Sequence, residues 1–582
     1  MVPFGIKLLR TLSLVLAVGL LLFGIVSDSL PRQPGDTSPP DDSRWLLSLG
    51  GAFVLLMIFA VLSVPKASAV KTITPDEKFR RNVQQLGGFL LVGFALLSLH
   101  LLREQIVAAS VIKNATVVTE TGSVVQDPRK VPEELRIRRG AIYAGDKTVA
   151  ASEVITPSRF AHRLYPEPDL SYLAGYYNPT VYGSAGLEAS FDDYLSGGRV
   201  LDPLLEQQRQ VLNRPVVGSD LYLTVNPALQ TVAQNTLGER KGAIVLLDAQ
   251  SGAILAMSSW PHIDPQQLSF NPYVNDWGAE NKRIIDYYAT VVNDSNNPLL
   301  MRATQGLYPP GSTFKTLTAG AAIDTGVALP SAIFTDTDGT VQVEAGSYVH
   351  RDCSTCRPAN HGPRFTLTEG YKWSLNVVFA ELAIKMGPTR LAEYSRRFGF
   401  GTRYDLGVPV EVSRIVSDVK ELDSSKNLLA ATAYGQGDVQ ATPLQMALVA
   451  AVVAHGGNLP APYMAQAIKN PETGETVWQY QPHNIGQVLS PTSNNALKAM
   501  MLESIKTGWA NAAGIPGVTV GGKTGTAETG RDTSHSWFIG FAGRDANNPQ
   551  YAIAVLVEDG GEGTRVALPM ARKVLEAALG VK

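Results

Sequence analysis

A serine and a lysine three residues apart are the first residues in this sequence whose spacing could support chemistry. Ser312 follows a Pro-Pro-Gly break at residues 309–311 and begins an apolar stretch that predicts a helix through Ala322. A serine at a helix start lies where unpaired N–H groups and the helix dipole stabilise negative charge. Lys315 projects from the same helix face, and burial would lower its pKa so that the neutral amine could take the serine proton. The alternative is an N-cap serine beside a surface lysine.

A second hydroxyl lies in the tripeptide Ser374-Leu-Asn376. It stands between a capping box at residues 366–369 and an apolar helix predicted over residues 377–386. Ser374 could relay a proton to a departing amine, and Asn376 could hold a substrate amide. An ordinary N-cap with a polar neighbour is the alternative interpretation of the same residues.

The third candidate segment is Lys523-Thr-Gly-Thr526, which ends an apolar strand predicted from Val518. Lys523, Thr524 and Thr526 offer a cation and two hydroxyls to a substrate carboxylate. Gly525 lets a substrate backbone approach the strand closely. Another Lys-Thr-Gly, at residues 506–508, ends a helical pattern and is interpreted as its C-terminal stop.

The order and context of these three patterns resemble the penicillin-binding proteins and serine β-lactamases. Segments around them resemble the class B branch, which carries transpeptidase activity alone. They are residues 139–143, 242–259, 434–437, 442–447 and 537–541.

This resemblance implies an α/β transpeptidase domain with an antiparallel sheet flanked by helices, similar to β-lactamases. It implies that Ser312 forms an acyl-enzyme, that Lys315 is its base and that Ser374 returns a proton to the leaving D-alanine. Backbone N–H groups of Ser312 and Thr526 would form the oxyanion hole, and no metal or organic cofactor is required. The other site residues that the resemblance implies are Asn376, Lys523, Thr524 and Gly525.

Three long uncharged segments precede these motifs, at residues 11–27, 45–64 and 82–102. Each is long enough to cross a hydrocarbon core of about 30 Å, so we predict three transmembrane helices. A cleaved signal peptide is the alternative for the first segment, but no small-residue cleavage site follows it. Lysines and arginines are concentrated before the first segment and between the second and third. The positive-inside rule therefore places everything after residue 102 outside the cytoplasm.

The rest of the chain predicts two further modules after a membrane region at residues 1–112. Short β-branched runs broken by glycine and proline indicate a mostly β, pedestal-like or dimerisation module over residues 113–240. A denser domain over residues 241–582 has predicted strands at both ends and helices between, which indicates one sheet built from distant segments. The 52 acidic residues balance 50 basic ones, which excludes a general nucleic-acid binder.

The two cysteines, Cys353 and Cys356, lie between His350 and His361. In an oxidising exterior a local disulfide is expected. Free thiols and a tetrahedral zinc site are the alternatives. None of these interpretations implies catalysis.

Together with the three predicted membrane helices, the resemblance implies a membrane-anchored D,D-transpeptidase that cross-links peptidoglycan outside the bacterial membrane and is acylated by β-lactams. One alternative is a membrane-bound β-lactam sensor, which should carry a sizeable cytoplasmic effector. Another is a D,D-carboxypeptidase, which gives no reason for the module at residues 113–240. Class B relatives dock on a SEDS-family glycosyltransferase, and we expect the third membrane segment to contact such a partner through its small residues Gly87, Gly88, Gly93 and Ala95.

Overall fold

The protein is described by a computed structural model that forms two compact units, Met1–Asp127 and Pro128–Lys582. The predicted boundary between residues 112 and 113 lies outside the described residues. The structure describes residues 4–28, 43–63, 75–106, 117–118, 124–125, 131–198, 216–345, 348–353, 356–358, 361–530 and 533–581.

The first unit contains three long apolar helices, Phe4–Asp28, Ser43–Ser63 and Pro75–Ile106. By length and composition each can cross a membrane, over Phe4–Gly24, Trp45–Ser63 and Asn82–Leu101 respectively, which confirms the predicted three. The first helix begins at Phe4, before the predicted residue 11, and includes Lys7 and Arg10. Long basic side chains near a helix end can extend to the membrane surface, so these charges do not stop the helix. A short antiparallel pair, Val117–Val118 with Val124–Val125, completes the described part of this unit.

The first half of the second unit is organised around a six-stranded sheet. Its central parallel pair joins Ile142–Ala144 to Asp220–Leu223. The strands Ala465–Lys469 and Thr476–Gln479 extend the same sheet from much later in the chain. The segment predicted as a pedestal-like module therefore shares its sheet with a hairpin from the predicted catalytic domain. The remaining strands of the sheet are Lys147–Val154 and Ala161–Leu164.

A five-stranded antiparallel sheet forms the centre of the second half. The predicted hairpin at residues 242–259 pairs with strands that come from the C-terminal part of the chain. In spatial order the strands are Ile254–Trp260, Gly242–Asp248, Tyr551–Val557, His535–Gly543 and Thr519–Ala527. Distant segments thus meet in one sheet, as predicted, and Thr519–Ala527 lies at its edge.

Helices cover both faces of this sheet, because successive residues of a strand point to opposite sides. Ile244 packs in the core with helix Pro227–Leu237. Val245 belongs to the core on the opposite side, with helix Pro443–Ala454. All residues of Pro443–Ala454 are buried, as expected for a helix that is apolar on every side. The predicted antiparallel sheet flanked by helices is confirmed.

Shorter elements connect these layers. The other two-stranded pairs are Tyr176–Asn178 with Gly183–Ala185, Ile333–Thr335 with Arg364–Thr366, Thr340–Val341 with His350–Arg351, and Asn458–Pro460 with Asn484–Gln487. The other α-helices are Val131–Glu134, Pro168–Ser171, Leu187–Ser190, Asp192–Leu195, Pro265–Leu268, Trp277–Asn293, Arg302–Gln305, Lys315–Asp324, Leu367–Lys372, Asn376–Met386, Pro388–Arg397, Lys420–Ser424, Lys426–Ala433, Pro491–Thr507 and Ala567–Leu579. The 3₁₀ turns are Tyr172–Ala174, Gly311–Phe314 and Asn511–Ala513.

A buried carboxylate holds the first half of the second unit together. Glu188 Oε2 accepts hydrogen bonds from Arg139 Nη2 at 3.0 Å and Nε at 3.1 Å. Its other oxygen accepts from Arg163 Nε at 2.7 Å and from the Tyr165 hydroxyl at 3.1 Å. Burial alone would raise the pKa of Glu188, but the two arginines hold that pKa below its ordinary value. The carboxylate is therefore charged and fully paired.

Replacing Glu188 with alanine should lower the free energy of unfolding by about 3–5 kcal/mol, because two buried guanidinium groups would lose the carboxylate that they share. Urea unfolding followed by tryptophan fluorescence measures the change. The matched control is Glu562→Ala, which removes an exposed ion pair with Arg565 and should leave the unfolding midpoint unchanged. Equal midpoints for the two variants would contradict this role of Glu188.

Candidate active site

Ser312 is half-buried, whereas the other residues of the turn that carries it are fully buried. Ser312 lies in the 3₁₀ turn Gly311–Phe314, and the α-helix begins only at Lys315. The predicted helix start at Ser312 is therefore wrong by three residues. Gly311 has a φ of 55° and donates its N–H to Gly435 O at 2.9 Å. A side chain at Gly435 would collide with Gly311 O, so glycine is required where these two segments meet.

Lys315 Nζ is buried next to four oxygen atoms. Ser374 O and Asn376 Oδ1 each lie 2.7 Å away. Ser312 Oγ lies at 3.1 Å and Ser374 Oγ at 3.3 Å. The structure thus brings the predicted Ser-x-x-Lys and Ser-x-Asn residues together around a single amine.

The two shortest contacts determine how this amine is arranged. A backbone carbonyl and an amide oxygen can only accept hydrogen bonds, so Lys315 must donate to Ser374 O and Asn376 Oδ1. A neutral amine has two N–H groups and one lone pair. With both N–H groups used, the lone pair is left to accept the hydroxyl hydrogen of Ser312.

Asn376 is fixed in orientation by a residue that the sequence did not single out. Its Nδ2 donates to Arg351 O at 2.7 Å, and since that carbonyl can only accept, Oδ1 must face Lys315. The predicted role of Asn376 toward a substrate amide stays a prediction. In the structure its side-chain amide hydrogen-bonds Arg351 and Lys315.

Ser374 has an unusual backbone that places both of its oxygens in the site. Its φ is 63°, in the left-handed region that non-glycine residues rarely adopt. The carbonyl accepts from Lys315, and the hydroxyl lies between Lys315 and Lys523. Lys523 Nζ donates to Ser374 Oγ at 2.9 Å and to Thr524 O at 2.9 Å. Ser374 therefore connects the two lysines.

The edge strand Thr519–Ala527 carries the last group of predicted residues. Thr524 is buried, and Thr526 is exposed and accepts from Gly563 N–H at 3.3 Å. A Cβ on Gly525 would lie 2.9 Å from Thr313 Cγ2 and 3.0 Å from Pro310 O. Glycine at this position therefore lets the strand approach the turn that carries Ser312. From the sequence, this glycine was instead explained by the close approach of a substrate.

Comparison with known proteins identifies this arrangement. The family model for the penicillin binding protein transpeptidase domain matches residues 242–576, more than half of the chain. The chain belongs to the penicillin-binding protein transpeptidase family. The predicted family and enzyme class, a serine-type transpeptidase, are confirmed.

Two curated relatives cover large parts of the chain. It is 32% identical over 499 residues to the peptidoglycan D,D-transpeptidase PbpA of Mycolicibacterium smegmatis, which covers 80% of this chain and 95% of the relative. It is 28% identical to the peptidoglycan D,D-transpeptidase MrdA of Escherichia coli, with 69% of this chain and 65% of that relative covered.

Solved structures of the family have the same fold. The ceftriaxone acyl-enzyme complex of penicillin-binding protein A from Mycobacterium tuberculosis matches with a TM-score of 0.70 and 30% identity, over 77% of this chain and 100% of that one. Penicillin-binding protein 2 of Pseudomonas aeruginosa matches with a TM-score of 0.62 and 27% identity, over 76% and 95% respectively. The predicted resemblance to class B penicillin-binding proteins is therefore confirmed.

The electrostatic environment of this family member favours the neutral form of Lys315. Burial, and then the like charge of Lys523, lower the pKa of Lys315 well below its ordinary value. Burial also lowers the pKa of Lys523 to about 7. The rings of Phe379 and Tyr434, with centroids 5.4 Å and 5.9 Å from Lys315 Nζ, help exclude water from the amine.

The cysteine segment lies next to this site. Cys353 and Cys356 are joined in a disulfide, and a zinc site would need both sulfur atoms as free thiolates. His350 Nδ1 lies 2.7 Å from the hydroxyl of Tyr434, the residue whose ring faces Lys315. From the sequence, His350 was considered only as a possible metal ligand, and no local pattern links it to Tyr434, which lies 84 residues later.

Acylation by a β-lactam should speed up as pH rises through the pKa of Lys315, because the amine accepts a proton only in its neutral form. Lys315→Arg keeps a permanent charge and should lower the acylation rate about 10²- to 10⁴-fold with no recovery at alkaline pH. Stopped-flow acylation with a fluorescent penicillin measures both effects.

The control is Lys498→Arg, at a buried lysine that donates to Asn547 O, away from the site. This variant should follow the wild-type pH profile. Full recovery of the Lys315→Arg variant at high pH would assign the base role to another group.

Proposed function

We propose that this chain cross-links peptidoglycan stem peptides through an acyl-enzyme on Ser312. The observation that carries the proposal is the continuous contact from Ser312 through Lys315 and Ser374 to Lys523. Family membership and relatives that are peptidoglycan D,D-transpeptidases support this substrate class.

The first half of the reaction breaks the bond between two terminal D-alanines. Lys315 takes the proton of the Ser312 hydroxyl as Ser312 Oγ attacks the carbonyl carbon. The N–H groups of Ser312 and Thr526 bind the oxyanion that forms. Each such donor contributes about 10²- to 10³-fold in rate. Ser374 then passes a proton from Lys315 to the departing D-alanine nitrogen, and the ester on Ser312 remains.

The second half reverses these proton movements. An amine of a neighbouring stem peptide attacks the ester carbonyl and loses a proton through Ser374 to Lys315. Ser312 leaves with that proton, and a new amide joins the two strands. Lys523, Thr524 and Thr526 hold the terminal carboxylate of the donor peptide before the first step.

Covalent reaction with β-lactams follows from the same geometry. A β-lactam carbonyl presents Ser312 with the same target as the D-alanyl carbonyl, but its opened ring stays attached to the acyl group. The acyl-enzyme complexes of penicillin-binding protein A from Mycobacterium tuberculosis, at 30% identity, support this inference.

Two features support a location of the catalytic domain outside the cytoplasm. The distribution of lysine and arginine around the three apolar helices places the segment after them outside. The Cys353–Cys356 disulfide is the form expected in an oxidising compartment.

Ser312→Ala should abolish covalent labelling by fluorescent penicillin, because it removes the only atom that forms the ester. Labelling after denaturing electrophoresis measures the loss, and thermal unfolding should be unchanged because the hydroxyl is a single half-buried group. Thr507→Ala is the control, since it removes a hydroxyl that contacts Lys372, outside the site. Persistent labelling of the Ser312 variant would refute this nucleophile.

A SEDS-family glycosyltransferase is the proposed membrane partner. The class B branch carries transpeptidase activity alone, so its members need glycan strands from another enzyme. In the helix Pro75–Ile106, a Cβ on Gly87, Gly88 or Gly93 would meet no atom of the described residues within 4 Å, apart from the helix's own adjoining backbone. Small residues that leave such space allow close packing of a second membrane helix.

Replacing Gly88 and Gly93 with leucine should weaken co-purification with the glycosyltransferase, because the larger side chains keep the partner helix at a distance. Penicillin acylation should be unchanged. Gly50→Leu is the control, because that glycine also has open space around it but lies on the second helix. Undiminished co-purification of the double variant would remove this face from the interface.

A further inference from the structure

The helix that carries Asn376 begins without a capping side chain of its own. Leu375 occupies the N-cap position of Asn376–Met386 and makes no side-chain cap. The N–H of Val377 is instead accepted by Asp352 Oδ1 at 3.0 Å. A carboxylate in this place satisfies an otherwise unpaired N–H and interacts favourably with the helix dipole. Asp352 therefore acts as the cap from a different segment.

The position of Asp352 is itself fixed by backbone contacts on both sides. Its own N–H donates to Gly339 O at 2.9 Å. The preceding carbonyl, Arg351 O, accepts from Asn376 Nδ2. Asp352 thus holds Val377 and Arg351 holds Asn376, two consecutive residues of the same helix. The contact with Arg351 orients the Asn376 amide that faces Lys315.

A second carboxylate lies behind Asp352. Asp336 Oδ1 accepts from Gly339 N–H at 2.7 Å, and its Oδ2 lies 3.7 Å from Arg357 Nε. Asp336 Oδ2 and Asp352 Oδ2 are both buried, and neither receives a hydrogen bond from a donor among the described residues. Asp336 thus places a second acidic group against Asp352, whose pKa is raised by burial and by that contact.

The carboxylate of Asp352 acts on the pKa of Lys315 in the opposite sense to burial. The charged groups that act on Lys315 are Lys523, which lowers its pKa, and Asp352, which raises it. Burial and the hydrogen bond with Asp336 raise the pKa of Asp352, whereas Lys315 lowers it. Without a nearby negative charge, Lys315 would be a weaker base.

We propose that Asp352 is a positioning residue for acylation: it anchors the start of the Asn376 helix and places a negative charge that strengthens Lys315 as a base. This inference rests on the proposed function, in which Lys315 takes the proton of Ser312. Among the described contacts none joins Asp352 to Ser312, and its effect passes through Asn376 and Lys315.

The test compares the pH dependence of penicillin acylation in full-length protein for the wild type, Asp352→Asn and Asp352→Ala. Asp352→Asn keeps an oxygen that can accept from Val377 but removes the charge. Its acid limb should therefore move to lower pH by about one unit. Asp352→Ala also loses the anchor, and its maximal rate should fall roughly 10- to 100-fold.

Asp338→Asn is the matched control, because this exposed aspartate lies in the same region and hydrogen-bonds Thr340. It should reproduce the wild-type profile. Thermal unfolding of each variant separates loss of rate from loss of fold, and the near-isosteric Asp352→Asn keeps the test valid if the alanine variant does not fold.

Three results would overturn the inference. The first is an Asp352→Asn profile that coincides with those of wild type and Asp338→Asn. The second is an equal loss of rate at every pH in both Asp352 variants, which would indicate a structural role alone. The third is a stoichiometric metal in purified wild type that Asp352→Asn loses, since the carboxylates would then bind a cation. A wild type that is not acylated at all would instead refute the proposed function.

Discussion

The site depends on one buried amine whose hydrogen-bond partners leave it a single free position. Two of the oxygens around Lys315 can only accept, so both N–H groups of the neutral amine are committed and its lone pair faces Ser312. A charged ammonium would pay a large desolvation cost in this place, next to a second lysine. The other features of the site serve to maintain this arrangement. They are the left-handed backbone of Ser374, the fixed amide of Asn376 and the aromatic walls.

The fold assembles this amine and its partners from segments that lie far apart in the sequence. The edge strand of the five-stranded sheet brings Lys523 beside the turn of Ser312, and glycine at position 525 permits that approach. Gly435 permits a similar approach from the other side, where it accepts the N–H of Gly311. The helix that carries Asn376 begins at a cap supplied by Asp352 rather than by its own residues. Short contacts between distant segments thus set the distances on which the chemistry depends.

Local patterns explain why part of this site could be predicted from the sequence. Ser312 and Lys315 are close on one helical stretch. The capping box at Thr366 and Glu369 is present as predicted. The hairpin at residues 242–259 forms because both of its strands are apolar around a turn. Contacts made through backbone atoms leave no such pattern. The carbonyl of Arg351 that orients Asn376 could belong to any residue, and the shared sheet between residues 220–223 and 465–469 depends on pairing across more than two hundred residues. Asp352 was missed because an isolated aspartate before two cysteines carries no periodic or motif signal.

The central claim is that Lys315 is neutral in the resting enzyme and accepts a hydrogen bond from Ser312. Neutron diffraction from deuterium-exchanged crystals tests it directly, because deuterium positions on Nζ and Oγ become visible. The account predicts two deuterons on Lys315 Nζ, directed at Ser374 O and Asn376 Oδ1, and the Ser312 deuteron directed at Nζ. Three deuterons on Nζ, or a Ser312 deuteron that points away from Lys315, would contradict it.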